Sequence, residues 1–212
     1  MDDKRVSRTC AVPGAKFKLT PSPPLLVSFS FFSPVQSRRM PEAAVITVSD
    51  SCYAGTRVDR SGPAAVEVLI TGGFTVVEQR TVPDEQAAIE RALRDCAEHA
   101  ALVVTTGGTG IAVRDVTPEA TRNVCDRLLD GVPEVMRGEG RKETIYASLS
   151  RALCGTLGQS LIVNLPGSPR GAVTSLTAVL PLVTHALTLL AGTETPHPET
   201  EQHLKTEQHG AR

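Results

Sequence analysis

The chain has 212 residues, and its 22 Lys and Arg against 23 Asp and Glu give a formal net charge of −1. This length fits one domain, with or without tails, and it is enough to bury a core. A hydrophobic share of 41% excludes a disordered chain, and no apolar run approaches the roughly 18 residues of a membrane span. The near-neutral charge and an aromatic share of 3% argue against a nucleic-acid-binding protein.

The first 39 residues differ in charge from the rest of the chain. They carry seven Lys and Arg against two Asp and Glu, a net charge of +5, whereas residues 40–212 carry 15 against 21, a net charge of −6. Nearby prolines and the lack of a small-residue cleavage site argue against a signal peptide around the apolar run 25–32. We therefore expect residues 1–39 to be a disordered extension, or a start-site artefact with translation beginning at Met40.

The five cysteines are odd in number and widely spaced, and they form no C-x-x-C pair. No group of Cys and His has the spacing of a zinc site, so the sequence predicts neither a disulfide framework nor a metal cage. Free, buried thiols in a reducing compartment are expected instead, and the predicted location is the cytoplasm. The cysteines are Cys10, Cys52, Cys96, Cys125 and Cys154.

From residue 43 onward, short β-branched runs alternate with helical patterns. The predicted strands cover residues 43–48, 74–82, 101–105 and 160–164. The predicted helices cover 63–71 and 84–99, a segment from Thr117 with that residue as N-cap, and 172–191 with an interruption at Pro181. This order predicts an α/β fold, a three-layer sandwich with a mostly parallel central sheet and helices on both faces. The domain is assigned to residues 40–192, and the polar residues 193–212 are predicted to be a tail.

Four polar loops follow the predicted strands. Because the carboxyl ends of parallel strands share one edge of the sheet, we expect these loops to converge there and to form the ligand site. Side chains and backbone amides that bind phosphate or metal are common in such loops. The loops are residues 49–51, 83–85, 106–110 and 164–169.

The glycine-rich loop 107–110 allows backbone N–H groups to approach an anion closely, although a tight turn alone explains the same composition. The chain contains no Walker A motif. The loop also fails as a dinucleotide fingerprint, because Val113 stands where a third glycine is required. This departure argues against a dinucleotide-dependent oxidoreductase. We keep that function as a third hypothesis, weaker than the two given at the end of this subsection.

Two aspartates near the predicted edge are candidates for chemistry. Asp115 follows the glycine loop and has no evident structural role in the sequence, since Thr117 already caps the next helix. A carboxylate beside an anion-binding loop is repulsive unless a cation lies between them, which points to Mg²⁺ with a phosphate ligand. Asp84 precedes a helix, so the sequence leaves open whether it is an N-cap or a catalytic carboxylate.

Six stretches in this order resemble the MogA/MoaB-type molybdopterin adenylyltransferase family, which includes the gephyrin G domain. The resemblance covers about residues 43–192 and is specific, because the glycine loop and the R-D-x-T-P-E-A run occur together. The stretches are Val48-Ser49-Asp50-Ser51; Asp59-Arg60-Ser61-Gly62-Pro63; Val82-Pro83-Asp84-Glu85; Thr106-Gly107-Gly108-Thr109-Gly110 with Arg114-Asp115-Val116-Thr117-Pro118-Glu119-Ala120-Thr121; Leu149-Ser150-Arg151; and Asn164-Leu165-Pro166-Gly167-Ser168-Pro169.

The resemblance implies transfer of AMP from ATP to the terminal phosphate of molybdopterin, with release of pyrophosphate. It implies a cytosolic homotrimer that uses Mg²⁺ and passes its product to a molybdate-insertion enzyme, with neither nucleic acid nor membrane as partner. The family's catalytic aspartates match Asp84 and Asp115, which are also the implied Mg²⁺ ligands. The substrate-binding positions match Asp50, Ser51, Thr106, Gly107, Gly108, Thr109, Gly110, Asn164, Pro166, Gly167 and Ser168. The alternative is a non-catalytic, MoaB-like molybdopterin-binding module or scaffold.

Overall fold

The computed structural model describes residues 40–192. The predicted extension 1–39 and the predicted tail 193–212 lie outside the described residues. The strands are β1 (Glu42–Val48), β2 (Thr75–Val82), β3 (Leu102–Thr106), β4 (Arg127–Leu128), β5 (Cys154–Leu157) and β6 (Ser160–Leu165). The helices are α1 (Asp50–Tyr53), α2 (Ser61–Thr71), α3 (Gln86–Ala97), α4 (Thr117–Val124), α5 (Gly131–Gly140) and α6 (Pro169–Leu190), with a 3₁₀ helix over Ile145–Leu149.

All six strands form one sheet in the order β2-β1-β3-β6-β5-β4. The four strands β2, β1, β3 and β6 are parallel, whereas β5 pairs antiparallel with β6 and β4 pairs antiparallel with β5. The predicted mostly parallel sheet is confirmed. The two antiparallel strands extend it past β6 and were not predicted from the sequence.

The parallel strands are covered on both faces, because alternate side chains of each strand enter different cores. Ala43 and Val45 of β1 pack with α2, α5 and α6, while Ala44 and Ile46 of the same strand pack with α3 and α4. Burial on both faces explains why β1, β3 and β6 read as continuous apolar runs. The predicted three-layer arrangement is thus confirmed.

Helix α4 begins where the sequence predicted, but its first residue has a different role. The N-cap is Val116, and Thr117 is the first residue of the helix. The Thr117 hydroxyl instead donates to the carbonyl oxygen of Gly107 at 3.0 Å. The capping prediction is therefore wrong, and the buried Thr117 side chain ties α4 to the loop that follows β3.

Helix α6 is longer and less interrupted than predicted, since it begins at Pro169 and continues through Pro181 to Leu190. Its 22 residues include a window of mean hydropathy 1.7, which meets the length and composition of a membrane span, so the sequence-based statement that no run approaches one is wrong. One stripe of the helix packs in the core against the sheet, α2 and α5. The stripe consists of Ala172, Leu176, Val179, Val183 and Leu187.

Gly107 lies where the loop after β3 meets the end of β1. Its φ is +96°, and a Cβ atom there would lie 2.3 Å from the backbone oxygen of Val48. Gly55 has a similar φ of +72°, but nothing lies within 4 Å of the Cβ position.

This contrast predicts unequal costs for alanine at the two glycines. Gly55→Ala should lower the free energy of unfolding by about 1–2 kcal/mol, because only the left-handed backbone is strained. Gly107→Ala should lower it by about 3 kcal/mol or more, because the methyl group must also displace the backbone of β1. Chemical denaturation of both variants measures the difference, and equal losses would contradict the close contact.

Candidate active site

The loops that follow the four parallel strands meet at one edge of the sheet, as the sequence predicted. The amide of Ser49 donates to the carbonyl oxygen of Val82 at 3.0 Å, which joins the loops after β1 and β2. The amide of Gly107 donates to the carbonyl oxygen of Leu165 at 3.2 Å, which joins the loops after β3 and β6. The candidate residues of all four loops thus belong to one region.

Asp50 and Asp84 bind each other's backbone across this edge. The amide of Asp50 donates to Oδ2 of Asp84 at 2.7 Å, and the amide of Asp84 donates to Oδ1 of Asp50 at 2.9 Å. Helix α3 begins at Gln86 with Glu85 as its N-cap, so Asp84 does not cap it. The structure therefore excludes the capping interpretation that the sequence left open for Asp84.

Arg114 binds the carboxylate of Asp50, and the pKa values of Asp50 and Asp84 shift in opposite directions. Its Nε and Nη2 atoms donate to Oδ2 of Asp50 at 3.1 Å and 2.6 Å. The hydrogen bonds from Arg114, and then the amide of Asp84, hold the pKa of Asp50 below its usual range. Burial raises the pKa of Asp84, and the charges of Asp50 and Asp115 add to the rise.

Asp115 has a structural role that the sequence did not reveal. Its Oδ2 accepts a hydrogen bond from the amide of Ala112 at 2.8 Å and closes the turn between the glycine loop and α4. Gly110 leaves room for this carboxylate, since a Cβ there would lie 2.8 Å from Oδ2. The other carboxylate oxygen has no hydrogen-bond partner within residues 40–192, so it is available to a ligand.

The glycine loop presents backbone donors. Gly107 and Gly108 have φ values of +96° and +62°. The amide of Gly107 is used by Leu165, whereas the amides of residues 108–110 donate to no group within the part of the chain that the structure describes. Three successive unsatisfied amides are what an anion requires of a loop.

Arg151 holds the far side of the same loop. Its backbone amide donates to the carbonyl oxygen of Thr109 at 2.8 Å, and its Nε donates to that of Gly110 at 2.7 Å. The guanidinium also donates to the carbonyl oxygen of Asp115 and pairs with the carboxylate of Glu119 on α4. The sequence offered Arg151 only as part of a family motif, and its role becomes visible only when β5 and α4 come together.

Three of the predicted binding residues lie below the edge or are held by other protein groups. Asn164 is fully buried in β6, where its amide nitrogen donates to Thr105 and Thr121 and its oxygen accepts from the amide of Leu153. Its predicted position in the ligand-binding loop is therefore corrected to a core position. The Thr106 hydroxyl is buried and bonds to Ser61, and the Ser51 hydroxyl lies 3.1 Å from that of Ser49.

Two clefts open at the edge on either side of the loop that follows β6. We call the first, of about 350 Å³, the central cleft; its walls include Ser49, Arg57, Arg60, Gly107 and Gly108. We call the second, of about 480 Å³, the lateral cleft; its walls include Thr109, Gly110, Arg137, Tyr146 and Ser175. Gly167 and Ser168 line both clefts, so the two are neighbours with a common border.

Asp59 organises the central cleft, although the sequence singled it out only within a motif. Its Oδ2 accepts from the hydroxyl of Thr47 at 2.6 Å, and its Oδ1 accepts from the amides of Ser61 and Gly62 at 3.0 Å and 3.1 Å. A Cβ at Gly62 would lie 2.3 Å from Oδ2 of Asp59. The aspartate therefore fixes the start of α2 against β1, beside the wall of the cleft.

Cationic side chains line the central cleft even though the domain is acidic. Arg57 and Arg60 form no salt bridge with any carboxylate in residues 40–192. Guanidinium groups without a protein partner are suited to phosphate. The sequence contained Arg60 only within a family motif and gave no sign of Arg57, because an isolated arginine in a loop has no distinctive spacing.

The fold and this edge define a class, an α/β protein whose candidate ligand site lies at the carboxyl ends of its parallel strands. The family model described as "Probable molybdopterin binding domain" matches residues 44–185. The chain therefore belongs to the molybdopterin-binding domain family, as its motifs predicted.

Similarity to individual proteins also supports membership in this family. Molybdopterin adenylyltransferase of Helicobacter pylori (strain J99) is 42% identical over 152 residues, 70% of this chain and 86% of that protein. The Drosophila melanogaster molybdenum cofactor synthesis protein cinnamon is 40% identical over 149 residues, 69% of this chain and 25% of that protein. The molybdopterin biosynthesis enzyme MoaB of Thermus thermophilus has a TM-score of 0.69 and 47% identity, covering 73% of this chain and 98% of that one. These relatives support a nucleotidyltransferase role in molybdenum cofactor biosynthesis.

The charge arrangement around Arg114 predicts how the two aspartates titrate. Arg114→Gln should raise the pKa of Asp50 toward its usual 3.8 and raise that of Asp84 further, because the guanidinium stabilises both carboxylates. Carboxyl NMR titration measures both values. Arg122→Gln, an exposed change on α4, is the control and should move neither.

The sign of the pH effect differs between the two groups. The lowered pKa of Asp50 stabilises the fold at neutral pH, and this contribution is lost as the pH falls through that lowered value. The raised pKa of Asp84 disfavours the fold at neutral pH, and protonation relieves that cost as the pH falls through the raised value. If the pKa values of Asp50 and Asp84 were the same in Arg114→Gln as in the wild type, the stabilisation of both carboxylates by Arg114 would be contradicted.

Proposed function

We propose that this protein transfers AMP from ATP to the terminal phosphate of molybdopterin and releases pyrophosphate. The observation that carries the proposal is the meeting, at one edge, of unsatisfied loop amides with Asp84 and Asp115 in a member of this family. Curated relatives that bear the name molybdopterin adenylyltransferase support it. The chain spans 86% of one such relative, but only a quarter of the Drosophila protein.

The reaction needs positioning and charge neutralisation more than an activated side chain. An oxygen of the molybdopterin phosphate bonds to the α-phosphorus of ATP, while the bond from that phosphorus to its bridging oxygen breaks and pyrophosphate leaves. The amides of residues 108–110 and the guanidinium groups of Arg57 and Arg60 would hold the anionic phosphates. Ser168 is the N-cap of α6 and lines both clefts, so a phosphate between two bound rings would lie beside it.

The carboxylates fit Mg²⁺, which would neutralise phosphate charge when bound. Asp84 and Asp115 supply hard oxygen donors, and each uses only one oxygen in a backbone hydrogen bond. No group of three or more His, Cys, Asp or Glu within residues 40–192 is arranged to hold a metal. Two carboxylates are still enough, because Mg²⁺ usually binds through one or two of them together with water and substrate phosphates.

Asp50 has a supporting role in this proposal. Its carboxylate is occupied by Arg114 and by the amide of Asp84, so it orients Asp84 rather than binding substrate directly. Because Oδ2 of Asp84 accepts from the amide of Asp50, Oδ1 of Asp84 is the oxygen that takes no part in this contact. Asp50 thus belongs to the site as a positioning residue.

We also propose a homotrimer in the cytoplasm that hands its product to a molybdate-insertion enzyme. Exposed apolar residues on α6 support self-association, since Leu182 and Leu189 are 44% and 57% exposed. Light scattering after size-exclusion chromatography should give three times the chain mass of 22.5 kDa.

Aspartate-to-asparagine variants test the catalytic proposal. In Asp84→Asn the amide oxygen still accepts from Asp50, and in Asp115→Asn it still accepts from Ala112, so both folds should persist. Loss of the charge should lower molybdopterin-dependent pyrophosphate release from ATP by about 100-fold or more. Asp84→Asn should not lower the melting temperature, because it removes a partly buried carboxylate whose pKa is raised.

The matched control is Asp126→Asn. Asp126 also accepts a backbone amide, that of Gly158 at 2.8 Å, but lies away from both clefts. It should retain full turnover. Wild-type protein that binds molybdopterin without releasing pyrophosphate would contradict the enzyme and favour the binding module, and full turnover of Asp84→Asn would remove that residue from the mechanism.

A further inference from the structure

We infer that Thr117 and Arg151 are positioning residues of the transfer reaction, because they direct the backbone N–H groups of the glycine loop toward the anionic substrate. Neither residue lines the central or the lateral cleft, so neither is placed to bind a ligand held there. Both act through the loop 107–110, whose carbonyl oxygens they bind. The inference rests on the proposed function only for the identity of the anion, a phosphate group of the substrates.

Thr117 binds the first two carbonyl oxygens of the loop. Its hydroxyl donates to the oxygen of Gly107 at 3.0 Å, and its backbone amide donates to the oxygen of Gly108 at 3.1 Å. The side chain of Thr117 is fully buried, and a Cβ at Gly108 would lie 2.2 Å from its hydroxyl oxygen. The absence of a side chain at Gly108 therefore lets the loop lie directly against Thr117.

Arg151 binds the last two carbonyl oxygens of the loop. Its backbone amide donates to the oxygen of Thr109 at 2.8 Å, and its Nε donates to the oxygen of Gly110 at 2.7 Å. The same guanidinium donates to the carbonyl oxygen of Asp115 and pairs with the carboxylate of Glu119. One side chain thus holds the end of the glycine loop and the backbone of Asp115 in a fixed relation.

The geometry of the peptide bond relates these carbonyl contacts to the direction of the N–H groups. The peptide bonds of residues 40–192 are all trans, so the C=O of one residue and the N–H of the next point to opposite sides. The oxygens of residues 107–109 point toward Thr117 and Arg151, and the N–H groups of residues 108–110 therefore point away from them. Residues 107–110 line the two clefts. The loop thus presents N–H donors on the cleft side, as anion binding requires.

Equilibrium binding of inorganic pyrophosphate tests the role of Thr117, because it measures the loop without turnover. Thr117→Val keeps the shape of the side chain but removes the hydroxyl, so the peptide group between Gly107 and Gly108 is free to rotate. This variant should weaken pyrophosphate binding by about tenfold. Thr117→Ser is the matched control: it keeps the hydroxyl and loses a buried methyl group. Its melting temperature should fall, whereas its affinity should stay within about twofold of the wild type.

A second pair of variants separates the hydrogen-bonding geometry of Arg151 from its charge. Arg151→Lys keeps a positive charge beside Glu119 but has one donor nitrogen, so it cannot hold the carbonyl oxygens of Gly110 and Asp115 together. It should weaken pyrophosphate binding by about tenfold and also lower kcat. Glu119→Gln removes the ion pair while its amide oxygen still accepts from the guanidinium. Its affinity should stay within about twofold, because a half-exposed ion pair contributes little.

Glycine-selective ¹⁵N labelling gives a spectroscopic readout of the same geometry. The amide protons of Gly108 and Gly110 should shift downfield when pyrophosphate binds to the wild type, because each becomes a hydrogen-bond donor to the anion. In Thr117→Val the shift of Gly108 should be lost, since its peptide group is no longer held. In Thr117→Ser both shifts should remain.

These results separate the inference from the proposed function. Equal losses of affinity in Thr117→Ser and Thr117→Val, unchanged affinity in Thr117→Val or Arg151→Lys, or no pyrophosphate binding by the wild type would overturn the inference. Wild-type protein that binds pyrophosphate, with the expected pattern in the variants, but releases none from ATP in the presence of molybdopterin would overturn only the proposed function.

Discussion

The parallel alignment of β2, β1, β3 and β6 is the constraint from which the rest of this structure follows. Each pair of parallel strands needs a crossover connection, and the helices of those connections cover both faces of the sheet. Because both faces of the sheet are buried, functional side chains can reach solvent only at the ends of the strands. Asp50, Asp84, the glycine loop and the loop after β6 are therefore brought together although up to 118 positions separate them in sequence.

The edge of the sheet is rich in arginine although the net charge of the domain is negative. Residues 40–212 carry a net charge of −6, yet arginines gather around the two clefts. Some arginines of this edge are held by carboxylates: Arg170 in the lateral cleft pairs with Glu143, and Arg114, outside both clefts, pairs with Asp50. Others, such as Arg57 and Arg137, have no acidic partner among the described residues. The paired arginines hold neighbouring segments together, whereas the unpaired ones keep N–H groups that are suited to anionic ligands.

Local patterns were sufficient to predict the parallel part of the fold. Residues 43–48 and 101–105 were expected as strands, and β1 and β3 differ from those limits by one residue. Convergence of the loops followed from topology alone. Strands β4 and β5 escaped prediction because they contain two and four residues, too few for a period to appear.

The roles of single side chains depend on contacts between distant segments, so the sequence could not assign them. Thr117 is a residue type that is common at N-caps, yet its hydroxyl donates to the carbonyl oxygen of Gly107. Asn164 lies in a loop-like motif, yet the strand continues through it and buries its amide. Ser175 is among the buried residues of α6, and only the absence of a hydrogen-bond partner within residues 40–192 sets it apart from them. Tyr146, one of the few aromatic residues of the chain, is 75% exposed and lines the lateral cleft, a position that the sequence did not indicate.

The environments of the cysteines have a practical consequence. All four that the structure describes are free thiols, as expected from their spacing. Burial raises the pKa of Cys96 and Cys154 to about 12 and that of Cys125 to about 11, so these three stay protonated and unreactive at neutral pH. Cys52 is half-buried and, unlike the other three, lines the central cleft. Among these four it is the natural attachment point for a thiol-reactive fluorophore, which would report substrate entry without an engineered cysteine.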